Sequence, residues 1–106
     1  MTDTTAHTTD SQIGIEWSGR QGTYFLPLPD AEPARLSLVQ TSPGTIAIDY
    51  SWVPPQYRGR GVALKLIRKA VEDARAQGFR ITPLCGYVAS EFRRHPDWHD
   101  VLASRS

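Results

Sequence analysis

The spacing of apolar residues changes once along this chain, at Pro54-Pro55, and that change limits what the chain can fold into. Before the two prolines, apolar residues alternate with polar ones, which is the period of a half-buried strand. After them, over residues 61–77, apolar residues recur every three or four positions, which is the period of an amphipathic helix. The sequence therefore predicts an α+β fold, with a mostly antiparallel twisted sheet of about five strands, one main helix on it and a short C-terminal helix.

Each predicted element ends at a proline, a glycine or a turn. Two proline rings in a row fix φ and withhold two backbone donors, so Pro54-Pro55 ends the sheet. Gly78 fits the residue just after a helix, where a left-handed conformation is common. The predicted strands lie at 12–18, 23–28, 36–39, 45–53 and 80–84, the helices at 61–77 and 87–95, and a last turn at 97–102.

Length and composition describe one small domain. The chain has 106 residues, and residues 1–12 hold five threonines, so we predict a disordered tail there and one domain over 13–106. The longest apolar runs are too short to span a membrane, and no basic and apolar leader precedes the domain. A single cysteine suits the reducing cytoplasm, and the three histidines show no metal-ligand spacing.

Positive charge is concentrated in the middle of the chain. The net charge is only +1, yet residues 56–80 contain seven basic side chains and two acidic ones. A near-neutral protein with one basic stretch favours a discrete anionic ligand over a long polyanion, so nucleic acid is not the expected partner.

The basic stretch begins with a glycine-rich turn in front of the main helix. Main-chain N–H groups of a first helical turn lack intrahelical partners, and the helix dipole is positive there. Gly59 and Gly61 let an anion approach the backbone, and Arg58 and Arg60 add charge, so the turn predicts a phosphate or pyrophosphate site. It is not a Walker A loop, and Leu64 stands where a dinucleotide fingerprint needs its third glycine.

The segment Arg58-Gly59-Arg60-Gly61-Val62-Ala63 resembles the acyl-CoA motif of the GNAT superfamily of N-acetyltransferases, Arg/Gln-x-x-Gly-x-Gly/Ala. A second part of the chain is similar to the short YjdJ-like branch of that superfamily. Its residues are Pro83-Leu84-Cys85-Gly86-Tyr87, Phe92, His95-Pro96 and Asp100-Val101-Leu102.

This resemblance implies an acetyl-CoA-binding domain that moves an acetyl group to an amine. The fourth and fifth strands would splay apart, and the pantetheine arm would lie between them against the backbone of Trp52 and Val53. The pyrophosphate would sit on the amides of residues 58–63. The acceptor, a small molecule or a protein lysine, stays unidentified, and the protein would be a monomer or a homodimer.

Three residues are candidates for the chemistry. Cys85 would face the thioester, either forming an acetyl-cysteine intermediate or lining the pocket. Tyr87 would protonate the departing thiolate, and Asp49 would relay a proton, bind the incoming amine or be a surface carboxylate. Relatives in the short branch commonly have a histidine where this chain has Tyr50 and often a carboxylate at Trp52, so no general base is evident here.

Two other functions stay open from the sequence. A non-catalytic acyl-CoA-binding or interaction module would bind CoA and transfer nothing. An RNA-associated protein would use the Arg-Gly-Arg-Gly segment and the basic helix, with salt-sensitive binding that CoA does not displace. We expect Trp17, Trp52 and Trp98 to fill the core, and His95 and His99 to be structural rather than ligands or bases.

Overall fold

The computed structural model describes residues 12–103, and all of the predicted tail except Gln12 lies outside them. The strands are β1 (Gly14–Ser18), β2 (Gln21–Leu28), β3 (Ala31–Ser42), β4 (Thr45–Trp52) and β5 (Arg80–Pro83). The α-helices are α1 (Val62–Gln77) and α2 (Gly86–Arg94), and short 3₁₀ helices lie at Pro55–Tyr57 and Pro96–Val101. The predicted α+β fold, with one main helix and a short C-terminal helix, is confirmed.

The strands form one sheet in the order β1-β2-β3-β4-β5. The first four strands pair antiparallel, and β5 pairs parallel to β4. A parallel pair needs a crossover connection, and α1 supplies it. The carboxyl ends of β4 and β5 consequently lie side by side, each followed by the start of a helix.

β3 is much longer than the predicted strand at 36–39. It runs through Pro33, a residue that cannot donate to a ladder. The register between β2 and β3 is irregular there, because Leu26 pairs with Ala34 and the next pair is Leu28 with Ala31. The proline falls within this irregularity, so the strand continues past it.

The core lies between one face of the sheet and the apolar stripe of α1. Leu66, Ile67, Ala70, Val71 and Ala74 of the helix are each at most 1% exposed. They face buried side chains of the sheet, namely Tyr24, Leu26, Leu36, Leu38, Ile48 and Ile81.

A part-buried polar contact also joins α1 to the sheet. The Tyr24 hydroxyl donates a hydrogen bond of 2.6 Å to the Asp73 carboxylate, which Lys69 also approaches at 3.2 Å. Burial and this hydrogen bond raise the pKa of Tyr24 well above its ordinary value.

β4 contains a β-bulge. The prediction that residues 46, 48, 50 and 52 share one face of this strand is therefore wrong. Leu38 pairs with Ile48 and Ser37 pairs with Tyr50, so Asp49 is an extra, unpaired residue. One extra residue exchanges the two faces of everything that follows it. Ser51, opposite Leu36, therefore shares the core face, and Tyr50 is 52% exposed on the other side.

The prediction for the three tryptophans is therefore right for one of them. Trp98 is 4% exposed and packs edge-on against Phe92. Trp52 lies on the outer face under the guanidinium of Arg35, 4.7 Å from the ring centre, because the bulge moved it there. Trp17 is on the edge strand and is 45% exposed.

The C-terminal residues close the far side of β5. Leu102 forms a bridge with Ile81, and the Ala103 amide donates to the Ile81 carbonyl at 2.8 Å. His95 and His99 hydrogen-bond main-chain carbonyls of α2, which is the structural role expected of them. Within residues 12–103, no helix is long and apolar enough to cross a membrane.

Candidate functional site

A cleft of about 370 Å³ opens where β4 ends and α1 begins. Its walls are the end of β4, the loop that leads into α1, the first turn of α1 and one residue of α2. The lining residues are Ser51, Trp52, Val53, Tyr57, Arg58, Gly59, Gly61, Val62, Ala63 and Tyr87.

The α1 end of the cleft is built from main-chain groups. Gly59 and Gly61 have φ of 80° and 76°, in the left-handed region that favours glycine. A Cβ at either position would point into open space. The first helical bond runs from the Lys65 amide to the Gly61 carbonyl at 3.2 Å, so the N–H groups just before Lys65 have no partner within the helix. The turn therefore presents free donors at the positive end of the dipole.

The two arginines of this turn have different positions. The Arg58 side chain donates from Nε to the Val53 carbonyl at 2.9 Å, which ties the turn back to the end of β4. The Arg60 guanidinium lies 5.5 Å from the centre of the Tyr57 ring and is outside the lining of the cleft. Of the eight residues predicted to contact the cofactor, seven line the cleft and Arg60 does not.

The loop is also fastened to the turn between β2 and β3. The Tyr57 hydroxyl donates to the Pro29 carbonyl at 2.9 Å, and the Gln56 side-chain amide reaches the Asp30 carbonyl at 3.4 Å. The two contacts join residues 28 and 26 positions apart in sequence. They hold the glycine-rich turn before α1 against a distant part of the sheet.

At the other end of the cleft, β4 and β5 separate. Their pairing stops at Ile48 and Pro83, and the amides of Leu84 and Cys85 both donate to the Ile48 carbonyl, at 2.9 and 3.0 Å. Beyond this point the bulge turns Ser51 toward β5. The Ser51 oxygen and the Cys85 sulfur are 3.6 Å apart, which places a hydroxyl and a thiol across the opening.

Cys85 is the N-cap residue of α2, and its thiol is half-buried. Burial opposes the thiolate, but interactions with the Val88 amide, the Ser51 hydroxyl and the Tyr87 amide favour it. Their sum lowers the pKa of Cys85 below its ordinary value. A thiol with a lowered pKa at a helix N-terminus is the reactive kind.

Tyr87 reaches the cleft from the first turn of α2 and is 44% exposed. Partial burial and the neighbouring Glu91 carboxylate raise the pKa of Tyr87, and Arg94 opposes this effect. The phenol is therefore protonated at neutral pH and can act as a proton donor.

Asp49 is exposed at the bulge, next to the Ile48 carbonyl that receives the two amides of the β5 end. Of the three candidates for the chemistry, only Tyr87 lines the cleft. Cys85 lies behind the lining residue Ser51, and Asp49 lies on the adjoining surface.

Three residues at the site were not among the predicted ones: Ser51, Tyr57 and Glu91. Ser51 was assigned to the wrong face because its side depends on the bulge. The roles of Tyr57 and Ser51 depend on contacts 28 and 34 residues away, which no local pattern reveals. Glu91 had one readable signal, its place four residues after Tyr87 on a predicted helix.

The described part of the chain contains no cluster of side chains suited to binding a metal ion. Across residues 12–103, no three histidine, cysteine, aspartate or glutamate side chains cluster closely enough to hold a metal ion.

Comparisons with known proteins agree with this geometry. A family model described as GCN5-related N-acetyl-transferase matches residues 23–101. A similar solved structure is the solution NMR structure of a GCN5-like protein from Staphylococcus aureus, provisionally assigned as an N-acetyltransferase. It is 21% identical, with a TM-score of 0.68 over 91% of this chain and 93% of that one, which shows a shared fold. A search of curated proteins found no match.

The fold, a five-stranded sheet with a helix N-terminus beside two diverging parallel strands, is the one shared with that GCN5-like structure. Because the family match covers most of the chain, this protein belongs to the GCN5-related N-acetyltransferase family.

Proposed function

We propose that this protein binds acetyl-CoA in the cleft and transfers the acetyl group to an amine. The observation that carries the proposal is the start of α1, where two left-handed glycines and the free N–H groups of a first turn open onto the cleft. Such a turn is suited to the pyrophosphate of a nucleotide. Membership of the family supports acetyl-CoA as the molecule that carries it.

The residues present fit this molecule. The turn at residues 58–63 would hold the pyrophosphate, because no Cβ at Gly59 or Gly61 blocks the main-chain donors. The backbone of Trp52 and Val53, at the end of β4, would hold the pantetheine arm. The Val53 carbonyl already accepts a bond from Arg58, which fixes this part of the wall before anything binds. Acetyl-CoA would supply an activated acetyl group in the form of a thioester.

At the reacting end, each side chain has a separate role. Cys85 offers a thiol with a lowered pKa, and Ser51 holds that thiol at the opening between β4 and β5. Tyr87 keeps its proton at neutral pH and would give it to the CoA sulfur as that sulfur leaves the acetyl group. Asp49, exposed beside the opening, would attract the cationic acceptor amine, which would lose its proton to solvent before it attacks the acetyl carbonyl.

A non-catalytic acyl-CoA-binding module is the second candidate. The observation that favours it is the identity of residues 50 and 52, a tyrosine and a tryptophan on the outer face, where a general base would otherwise be sought. Such a module would bind acetyl-CoA with the same turn and would transfer nothing.

The wider setting is also a proposal. The single cysteine supports a cytoplasmic protein, and the small domain supports a monomer or a homodimer. The acceptor is a small-molecule amine or a protein lysine, and nucleic acid and membrane are not the expected partners.

The experiment is a calorimetric titration of acetyl-CoA into wild type, Gly61→Glu and Gly44→Glu. Gly44 is the matched control, because its φ of 81° imposes the same backbone strain in a hairpin turn away from the cleft. We expect binding of about −8 kcal/mol in wild type and Gly44→Glu, and none in folded Gly61→Glu. Equal binding by both variants would move the site elsewhere, and no binding by wild type would overturn both candidates.

A further inference from the structure

The two edges of the sheet differ in how they are protected. At the β5 edge, the Ala103 amide donates to the Ile81 carbonyl, and Pro83 has no amide to donate. At the other edge, β1 pairs with β2, and no other strand of the described part of the chain lies beside it. Natural sheets protect an open edge with lysine, proline or a β-bulge. β1 has no lysine and no proline, and its register with β2 is unbroken.

The hydrogen bonds of β2 identify the main-chain groups on the open edge of β1. The carbonyl of Arg20, just before β2, accepts the Gln40 amide at 2.8 Å, so even-numbered residues here point toward β3 and odd-numbered ones toward β1. The β1 partners of the odd-numbered residues are Gly14, Glu16 and Ser18. Ile15 and Trp17, which lie between them, therefore point their N–H and C=O groups outward, and the alternation extends to Ile13.

The side chains beside these outward groups are apolar and exposed. Ile15 is 40% exposed and Trp17 is 45% exposed. Both lie on the face of the sheet that carries the core, because their partners in β2 are Tyr24 and Gly22. The Trp17 ring lies over Gly22, where a Cβ would come within 2.8 Å of it, so β2 covers one side of the ring. The open edge therefore combines unpaired main-chain groups with an apolar strip.

The edge of β1 is complementary to a second copy of itself. In an antiparallel pair with two-fold symmetry, the register centred on Ile15 sets it opposite the partner's Ile15, and sets Trp17 opposite the partner's Ile13. Glu16 then lies opposite the partner's Gly14. A register centred on Glu16 would instead set two carboxylates directly opposite each other, which is destabilising. One centred on Trp17 would set Ile15 opposite the hairpin turn, where no strand continues.

We propose that β1 pairs antiparallel with β1 of a second copy, centred on Ile15, and joins two five-stranded sheets edge to edge. A contact between two such short strands falls below the area of about 1,200 Å² that a standard stable interface buries, so the dimer is weak and depends on concentration. The dimer is independent of the proposed function, because β2 and β3 separate β1 from β4 and the cleft.

The first test is sedimentation velocity of the full chain from about 1 µM to about 1 mM, for wild type, Ile15→Lys and Ser18→Lys. Ile15→Lys sets two lysines opposite each other at the two-fold axis, where like charges repel. Ser18→Lys is the control, because it adds the same charge to the same strand at an exposed position away from the axis. We expect wild type and Ser18→Lys to change from monomer to dimer over this range, and Ile15→Lys to associate at least about tenfold more weakly.

Oxidative cross-linking then tests the register. Cys85 is the one native cysteine, so the variants are made together with Cys85→Ala. Ile15→Cys places two thiols at the axis, where opposed Cα atoms are about 5.5 Å apart and within disulfide range. Ser18→Cys leaves the corresponding Cα atoms about 20 Å apart. We expect a disulfide-linked dimer from Ile15→Cys and none from Ser18→Cys.

Three outcomes overturn the proposal. Association that a folded Ile15→Lys leaves unchanged places the interface elsewhere, and equal cross-linking of the two cysteine variants excludes the register. Wild type that stays monomeric at about 1 mM leaves the edge to residues 1–11 or to another protein. Circular dichroism shows whether Ile15→Lys is folded, and if it is not, the cross-linking of Ile15→Cys decides. Loss of acetyl-CoA binding by wild type would contradict the proposed function and leave the dimer unaffected.

Discussion

The two helices of this protein both begin at the carboxyl end of a parallel strand, and they begin differently. α1 follows β4 and has Gly61 as its N-cap, in the left-handed conformation with φ of 76°. α2 follows β5 and has Cys85 as its N-cap, in an extended conformation with φ of −72°. The first helix therefore offers main-chain N–H groups to the cleft, and the second offers the phenol of Tyr87, with the Cys85 thiol behind the lining residue Ser51.

The difference suggests that the two helix starts have different roles at one cleft, ligand recognition at α1 and chemistry at α2. A main-chain site recognises a charged group whatever the neighbouring side chains are, so it suits the constant part of a ligand. A side-chain site depends on which atoms are held near the reacting group, so it suits chemistry. We expect substitutions at the start of α2 to change turnover and those around the start of α1 to change binding.

The largest effect is expected for Cys85→Ala, which should change turnover and leave acetyl-CoA binding unchanged. Removing a reacting group commonly lowers a rate by about 10² to 10⁴, so we expect kcat to fall at least about 10²-fold. The Kd for acetyl-CoA should stay within about twofold, because the main-chain site at α1 is unchanged. Steady-state kinetics with an accepted amine, paired with calorimetry, gives both numbers. A loss of kcat below about tenfold would mean that Cys85 takes no part in the chemistry.

The second prediction concerns the sheet on which α1 packs, and therefore the stability of the fold that holds the cleft. Tyr24→Phe removes the 2.6 Å hydrogen bond to Asp73. A part-buried hydrogen bond to a charged group contributes about 2 kcal/mol, so we expect the free energy of unfolding to fall by that amount in urea titrations. Tyr50→Phe, at a 52% exposed tyrosine, is the control and should change it by less than about 0.5 kcal/mol.

The same variant has a pH signature. The folded-state pKa of Tyr24 is raised by burial and by Asp73, above an unfolded value of about 10. A raised pKa stabilises the folded state fully below the unfolded value and loses that contribution as pH rises above it. The difference in stability between wild type and Tyr24→Phe should therefore be constant up to about pH 10 and shrink above it. A difference that grew above pH 10 would contradict the assignment.

The α1 start could be predicted from sequence because everything that makes it is local. Strand, prolines, glycines and helix follow one another within residues 45–77, and the structure has the strand and the helix within one residue of their predicted ends. The glycines at 59 and 61 permit the positive φ that the turn adopts there, and both were readable as residues that let an anion approach the backbone.

The α2 start could be predicted only in part. Cys85 and Tyr87 stand in readable positions, but the thiol's surroundings depend on which way Ser51 points. That direction is set by one extra residue, Asp49, whose bulge is a property of the pairing with β3. A period-two pattern assumes an unbroken ladder, so it assigned residues 50 to 53 to the wrong faces.

That dependence leads to a smaller prediction, for Ser51→Ala. The Cys85 thiol is destabilised as an anion by burial, and it is favoured by the Val88 amide and the Ser51 hydroxyl. Removing the hydroxyl should raise the pKa of Cys85, so the pH midpoint of alkylation by iodoacetamide should move to higher pH. One hydrogen bond of about 1 kcal/mol predicts a kcat about fivefold lower near neutral pH. Ser37→Ala, opposite Tyr50 on the outer face, is the control, and an equal shift there would show a general loosening of the sheet.

The smallest expected effect tests whether the main-chain site at α1 needs side chains to hold it. Tyr57→Phe removes the 2.9 Å bond from the phenol to the Pro29 carbonyl, whereas Gln56→Ala removes only the 3.4 Å contact to Asp30. An exposed hydrogen bond of about 0.5 kcal/mol predicts a Kd for acetyl-CoA about two- to threefold weaker in Tyr57→Phe, and no measurable change in Gln56→Ala. Calorimetry on the two variants in parallel can detect this difference. A loss of tenfold or more in Tyr57→Phe would mean that the turn forms only when it is tied to the sheet. The two helix starts would then be alike in depending on distant contacts.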